Sequence, residues 1–313
     1  MKSFFMIFIL VTLHLIFIKA QSTVQPIASE IFSKIPNVRD FTISSKNNEA
    51  YFTAKSFQGE ISVILKMEKV DEIWSKPTIA VFSGKYNDLE PFLSIDNLRL
   101  YFASNRPLSN TDSNTKDFDI WFVERKDINA EWSEPINIGE PINTSFNEFF
   151  PSVSINNNLY FTCDYDSEIK KDDIFFSEWK DGYYSKPISL SDSINTDGYE
   201  FNSFIAPDES FVIFSGYERE DGFGSGDLYI SYRSDDGTWS KSINLGSKIN
   251  SAKLDYCPFV EMNSRILYFT SSRSSVNNNA FSNFNDLIQE INKYENGQSR
   301  IYKISFDEFL PMR

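Results

Sequence analysis

Short apolar runs rich in Ile, Val, Phe and Tyr alternate along most of the chain with stretches of Asn, Asp, Ser and Gly. That is strand-and-turn patterning with almost no helical periodicity. The runs come round five times at a period of about 55 residues, and one strand of each unit ends in Tyr51-Phe52, Tyr101-Phe102, Tyr160-Phe161, Ile213-Phe214 or Tyr268-Phe269. A unit of this size is too small to bury its own apolar face, so repetition at this period predicts a solenoid or a propeller.

Three further columns keep register with the aromatic pairs. An acid stands three residues before Pro or its substitute: Asp88 before Pro91, Glu148 before Pro151, Glu200 before Ser203, Asp255 before Pro258. An Asp opens another apolar run at Asp119, Asp173 and Asp227, with Arg300 departing from the pattern. An aromatic precedes Pro by three at Trp74, Trp132 and Tyr184, with Trp239 before Ser242 as the degenerate copy, and Ile-Asn-Thr or Ile-Asn-Ser turns follow at Asn143, Asn195 and Asn250. Each unit therefore reads as four strands, with strand A after the acid-Pro column, B at the aromatic pair, C after the Asp column and D around the Trp-Ser-x-Pro column. Four-stranded units repeated radially are the blades of an all-β propeller.

Pro91 to Ser94, the run Leu100-Tyr101-Phe102-Ala103-Ser104-Asn105-Arg106-Pro107, Asp119-Ile120-Trp121 and Trp132 with Pro135 together resemble the TolB-type (WD-repeat-like) propeller repeat of bacterial envelope proteins. The match runs over roughly residues 24 to 306. The resemblance implies a propeller and an envelope address but no single activity, because propellers host binding modules and enzymes alike. The chain ends predict the blade count. After Arg300-Ile301-Tyr302 too few residues remain for a normal strand D, whereas Pro26 stands 12 residues before Val38, the blade 1 equivalent of Asp88. Residues 23 to 32 are therefore expected to supply the missing outer strand and close a five-bladed ring. Six blades, the number the resemblance suggests, is the alternative. Closure removes the unpaired edge that would otherwise invite aggregation.

Residues 1 to 20 read differently: Lys2, an apolar run from Phe4 to Ile18, then Ala20 before Gln21. This is the pattern of a cleaved signal peptide, leaving residues 21 to 313 as one propeller domain that is periplasmic, outer-membrane-associated or secreted. Loss of Lys2 and Lys19 takes the net charge from −14 to −16. Such acidity disfavours nucleic acid and anionic membranes; it suits a cation or a basic partner. Cys163 and Cys257 belong to non-adjacent blades and are expected to be small core residues rather than a disulfide. The one histidine, His14, lies in the leader. The mature chain therefore has no Ser-His-Asp, Cys-His or His-bearing zinc chemistry, and glycoside hydrolysis by paired carboxylates is the common reaction left.

Strand direction puts Asp88, Glu148, Glu200 and Asp255 at the channel mouth as an incomplete acidic ring, with Asn105, Arg106 and Arg273 further out on the same face. The ring is a candidate site for a basic ligand or a cation such as calcium; no other cofactor is implied. Asp119, Asp173 and Asp227 are expected to stabilise turns, and Trp74, Trp132, Tyr184 and Trp239 to pack outer strands or the seams between blades. One segment breaks the repeat: about 30 residues separate Phe269 from Arg300, and Phe281, Phe284, Leu287, Ile288 and Ile291 trace one apolar stripe on a helix. Ser282 or Asn283 would cap it and Gly297 stop it, the stripe lying either on blade 5 or free as a lid or docking element. The expectation is a monomeric, non-catalytic binding or scaffold propeller meeting an envelope protein or glycan, with a carboxylate glycosidase as the alternative.

Overall fold

The computed structural model describes residues 23–109, 115–164, 171–278 and 280–310, so the predicted signal peptide lies outside the described residues. Five antiparallel blades are arranged around an axis. Their innermost strands, A, are Asn37–Ile43, Asp88–Leu93, Glu148–Val153, Tyr199–Ile205 and Asp255–Glu261. Strands B are Glu49–Lys55, Arg99–Ser104, Leu159–Cys163, Phe211–Tyr217 and Ile266–Ser271, each carrying its aromatic pair fully or almost fully buried. Strands C are Ser62–Val70, Asp119–Glu124, Asp173–Ser177, Gly226–Tyr232 and Arg300–Ser305. The outer strands of blades 1 to 4 are two-residue pieces: Thr78–Ile79, Ile136–Asn137, Ile188–Ser189 and Ile243–Asn244.

The fifth outer strand is Gln25–Pro26, paired antiparallel with the last strand through Gln25 to Lys303 and Pro26 to Tyr302. Just beyond it a short helix, Ser29–Phe32, puts the Phe32 ring 4.9 Å from that of Phe52 in blade 1. The N-terminal segment thus belongs to blade 5 by hydrogen bonding and touches blade 1 by packing, and the five-bladed ring closes through it.

Two details depart from the sequence reading. Strand A begins at the acid itself, with Pro91, Pro151 and Pro258 inside it. A register shift interrupts each strand A, between Leu89 and Phe92 in blade 2 and at equivalent places elsewhere, and in blades 2, 3 and 5 the Pro, which brings no N–H to the ladder, falls within it. The Trp-Ser-x-Pro column lies before strand D rather than in it, with Trp74 and Tyr184 on two-residue hairpin strands, Ile73–Trp74 and Tyr183–Tyr184. There Ser75, Ser133, Ser185 and Ser240 accept from the backbone N–H of Glu68, Glu124, Glu178 and Tyr232 at 3.0 to 3.1 Å. The Asn turns do strand work with a side chain: Asn143 accepts from the N–H of Ile120 and donates to its carbonyl, both at 2.9 Å, and Asn195 and Asn250 repeat this on Ile174 and Leu228. Outer strands of two residues suffice because an amide side chain extends the ladder.

A cup on the axis as candidate functional site

Three consecutive positions at the start of each strand A have three different fates. The first is the acid column. Asp88, Glu148, Glu200 and Asp255 are fully buried, and each clasps the turn that delivers the chain into its blade. Glu148 accepts from Thr144 Oγ1 at 2.6 Å, Glu200 from the N–H of Thr196 at 2.7 Å, Asp255 from Ser251 Oγ at 2.8 Å and Asp88 from Ser83 Oγ at 2.7 Å. Arg106, Arg219 and Arg273 pair with Asp88, Glu200 and Asp255 at 2.6, 2.8 and 3.1 Å. These acids are not brought together at the mouth; each looks into its own blade. Glu148 stands apart: Cys163 occupies the facing position, one carboxylate oxygen has no hydrogen-bond partner, and burial raises its pKa to about 7 against the pull of Thr144.

The Asp column holds neighbouring loops and strands. Asp119 accepts from Asn137 at 2.7 Å and Asp227 from Asn244 at 2.8 Å, while Asp173 lies 3.8 Å from Lys171. Two members of the aromatic column face the preceding blade: the indole N–H of Trp132 donates to Tyr51 at 2.8 Å, and Trp239 meets Tyr160 edge-on at 6.4 Å. Trp74 meets Phe41 of its own blade edge-on at 6.4 Å, and Tyr184 stacks edge-on with Trp179 at 4.7 Å. Asn105 accepts from the N–H of Asn87 at 3.0 Å.

The second position lines the mouth. Arg39, Leu89, Phe149, Phe201 and Tyr256 wall a cavity of about 510 Å³ with Phe118 and Leu254 beside them. The third position faces the axis, and its five residues, Asp40, Glu90, Phe150, Asn202 and Cys257, all have φ between 47° and 60°. A left-handed bulge at the same place in every blade turns these side chains inward. They meet in one network. Arg39 donates to Asp40 at 2.6 Å and to Glu90 at 2.7 Å, and the Cys257 thiol donates to Asp40 at 2.7 Å. Glu90 also accepts from the N–H of Phe150 at 2.8 Å and from Asn202 at 3.4 Å. Burial raises the Glu90 pKa to about 7, with Arg39 opposing and Asp40 reinforcing the rise. Burial works against the Arg39 charge, but Asp40 and Glu90 lift its pKa well above the ordinary value. Burial raises the Cys257 pKa strongly, so it stays a thiol. Both cysteines are free and buried; Cys257 packs with Phe150 and Tyr256 while its thiol bonds into the polar floor.

Directly beneath, Phe92 of blade 2 touches Phe204 of blade 4 and Phe259 of blade 5, with ring centroids 6.5 and 6.0 Å away. Neither partner blade neighbours blade 2, so the rings fill the axis. The site is a cup open at one face, with half-exposed aromatics at the rim and an Arg-bridged carboxylate pair at the floor. No group of His, Cys, Asp and Glu suited to a metal ion occurs among the described residues. Sequence reasoning missed this floor by two positions. The signal available was that the two residues between each acid and its Pro vary from blade to blade while the acid and the Pro recur.

No family model matches the chain, and no curated protein matches it in sequence. Among solved structures, a thermostable family-43 glycoside hydrolase is similar at a TM-score of 0.54 and 11% identity, over 86% of this chain and 88% of that one. The endo-arabinase of Bacteroides thetaiotaomicron VPI-5482 is similar at 0.51 and 15%, over 80% and 92%. TolB from Acinetobacter baumannii aligns at 0.45 and 10%, over 86% of this chain but only 54% of its own length. At such identities the common property is the propeller fold.

Proposed function

We propose that the protein is an exported, non-catalytic binding propeller of the bacterial envelope that receives its ligand in the axial cup, in keeping with the TolB-type resemblance of its repeat. The observation that carries this reading is the Arg39 bridge. One guanidinium holds both floor carboxylates, whose side chains are 0% and 4% exposed, and the third axial position is the hydrocarbon of Phe150. Glycoside hydrolysis needs two carboxyl groups free to face a bond from either side; here both are already engaged. Half-exposed Phe118, Phe149 and Phe201 around a polar floor suit a glycan or a protein segment with an apolar face.

The glycosidase reading keeps one observation in its favour: Glu90, with a pKa of about 7 beside Asp40, is the kind of carboxyl that serves as a general acid. A panel of polysaccharides and aryl glycosides incubated with the purified protein separates the two. Binding without turnover, weakened by Phe149→Ala and Phe201→Ala, is expected. Turnover that disappears in Glu90→Gln would replace the binding reading by the glycosidase.

A further inference from the structure

The carboxylates on the floor of the cup are engaged, but the cations of blade 1 keep donors to spare. Arg39 sends Nε to Asp40 and Nη2 to Glu90 and Cys257, while its Nη1 bonds to no described residue. The side chain is 15% exposed and lines the cavity. Lys55, at the end of strand B in blade 1, lines the same cavity half-buried, and its amine has no ion pair or hydrogen bond with a described residue. The charge of Lys55 reaches Glu90 and pulls against the rise of its pKa. On the blade 3 side of the cup, burial and the charges of Asp164 and Asp173 raise the pKa of Asp172. The cup is therefore positive along blade 1 and negative along blade 3.

Most of the remaining wall is apolar, made by Leu89, Phe118, Phe149, Phe201 and Leu254. Its polar side chains already have partners. Thr162 Oγ1 accepts from the N–H of Asn202 at 3.0 Å, Asn87 accepts from the N–H of Ser62 at 2.9 Å, and the Asn202 amide is shared between Glu90 and Cys257. A sugar ring carries a hydroxyl on nearly every carbon and would leave several unpaired against such a wall, whereas an apolar side chain needs no partner there.

We propose that the cup takes the C-terminal end of a peptide whose last side chain is apolar, with the terminal carboxylate held by Arg39 Nη1 and Lys55 and the side chain against Phe149 and Phe201. The inference rests on the cup being the binding site. Charge-assisted hydrogen bonds to a chain end are a recurrent mode of peptide recognition. The groups facing Glu90 are Arg39, Asp40 and Lys55 of blade 1, Asn202 of blade 4 and the Cys257 thiol of blade 5. With a pKa of about 7, Glu90 is mostly protonated at pH 6 and mostly ionised at pH 8. Once ionised it repels a carboxylate arriving beside Arg39, and Asp172 acts in the same direction. Binding therefore weakens as pH rises, the opposite of what an ammonium end would show.

Calorimetric titration with N-acetylated hexapeptides of glycine and serine ending in phenylalanine tests this, each made with a free C-terminal carboxylate and as the amide. At pH 6 the carboxylate form should bind about tenfold or more tighter than the amide, on the scale of one charge-assisted hydrogen bond. By pH 8 it should lose about threefold or more of its affinity. Lys55→Met keeps the aliphatic stem and breaks no ion pair, so it should melt at the wild-type temperature while losing most of the preference for the carboxylate. Phe149→Ala should weaken both forms alike. Equal binding of the two forms, binding of neither, tightening with rising pH, or a Lys55 variant with its preference intact would each overturn the proposal. Amide binding as tight as that of the carboxylate and lost in Phe149→Ala, or an oligogalacturonate bound in place of both peptides, would overturn the chain end and keep the cup. Peptide binding untouched by Phe149→Ala would remove the cup itself.

Discussion

Removing the Phe32 ring tests the closure of the propeller where it is concentrated. Phe32 is 0% exposed, and its ring lies 4.9 Å from that of Phe52 in blade 1, while its own segment pairs with the last strand of blade 5. Truncating a buried Phe to Ala costs about 3 to 5 kcal/mol from lost transfer energy and the cavity left behind. With a urea m-value of about 3 kcal/mol/M, as suits a domain of this size, Phe32→Ala should lower the denaturation midpoint by about 1 M or somewhat more. Gln25→Ala, at an exposed side chain in the same strand, should leave the midpoint within experimental error. Deleting residues 23 to 32 should exceed the single substitution, because Ile27 and the strand pairing go as well. The double variant Phe32→Ala with Phe52→Ala should lose less than the sum of the two, as contacting rings do. A truncated protein that unfolds at the intact protein's midpoint would show that the ring is held by blades 1 to 5 without the N-terminal strand.

Three further outcomes are expected. Glu148 has a folded pKa of about 7, raised by burial, so its stabilising contribution is complete below the unfolded value and disappears as pH rises through 7; Glu148→Gln should therefore gain about 2 to 3 kcal/mol over wild type at pH 8 and little at pH 4, and an equal difference at both pH values in denaturant melts would refute the assignment. Arg39→Met strands Asp40 and Glu90 in a buried floor and should cost about 3 to 5 kcal/mol at pH 8 but less at pH 5, where Glu90, its pKa raised to about 7 by burial, carries a proton; a loss independent of pH would mean that the bridge is not what neutralises Glu90. Trp132→Ala removes a partly buried ring and its bond to Tyr51 and should cost about 2 to 3 kcal/mol, leaving ligand binding intact once the fold is saturated at low temperature; loss of ligand with an unchanged melting midpoint would make the aromatic column a binding surface.

The blades, their number and their closure were legible because a radial repeat forces the same residue types on every unit, so that even Pro26 betrays its place by its distance to Val38. The axial floor was not, for two physical reasons. Residues facing the axis meet residues of other blades, not copies of themselves, and Asp40, Glu90, Phe150, Asn202 and Cys257 therefore do not repeat one residue type. The left-handed bulge also breaks the two-residue alternation on which face assignment in strands depends. The acids that do repeat, from Asp88 to Asp255, repeat because four of the five crossing turns are held by the same clasp. The insertion helix was legible in place and cap, with Asn283 as the residue bonded to the N–H of Asp286. Its end was not: the helix stops at Ile291, well before Gly297, and Phe281 lies outside it. Its stripe, which had two possible fates, is half-buried at Leu287 and Ile288 and exposed at Phe284 and Ile291.

The phenylalanines beneath the floor carry a consequence for the geometry of recognition. With Phe92, Phe204 and Phe259 filling the axis, nothing can be threaded through the ring, and arrival and departure share one opening. A polymer that touches Glu90 must present a terminus, a branch or the tip of a loop, because a continuous strand laid across the rim stays above the Arg39 bridge. A cup closed at its floor has room for an end, not for a passing strand.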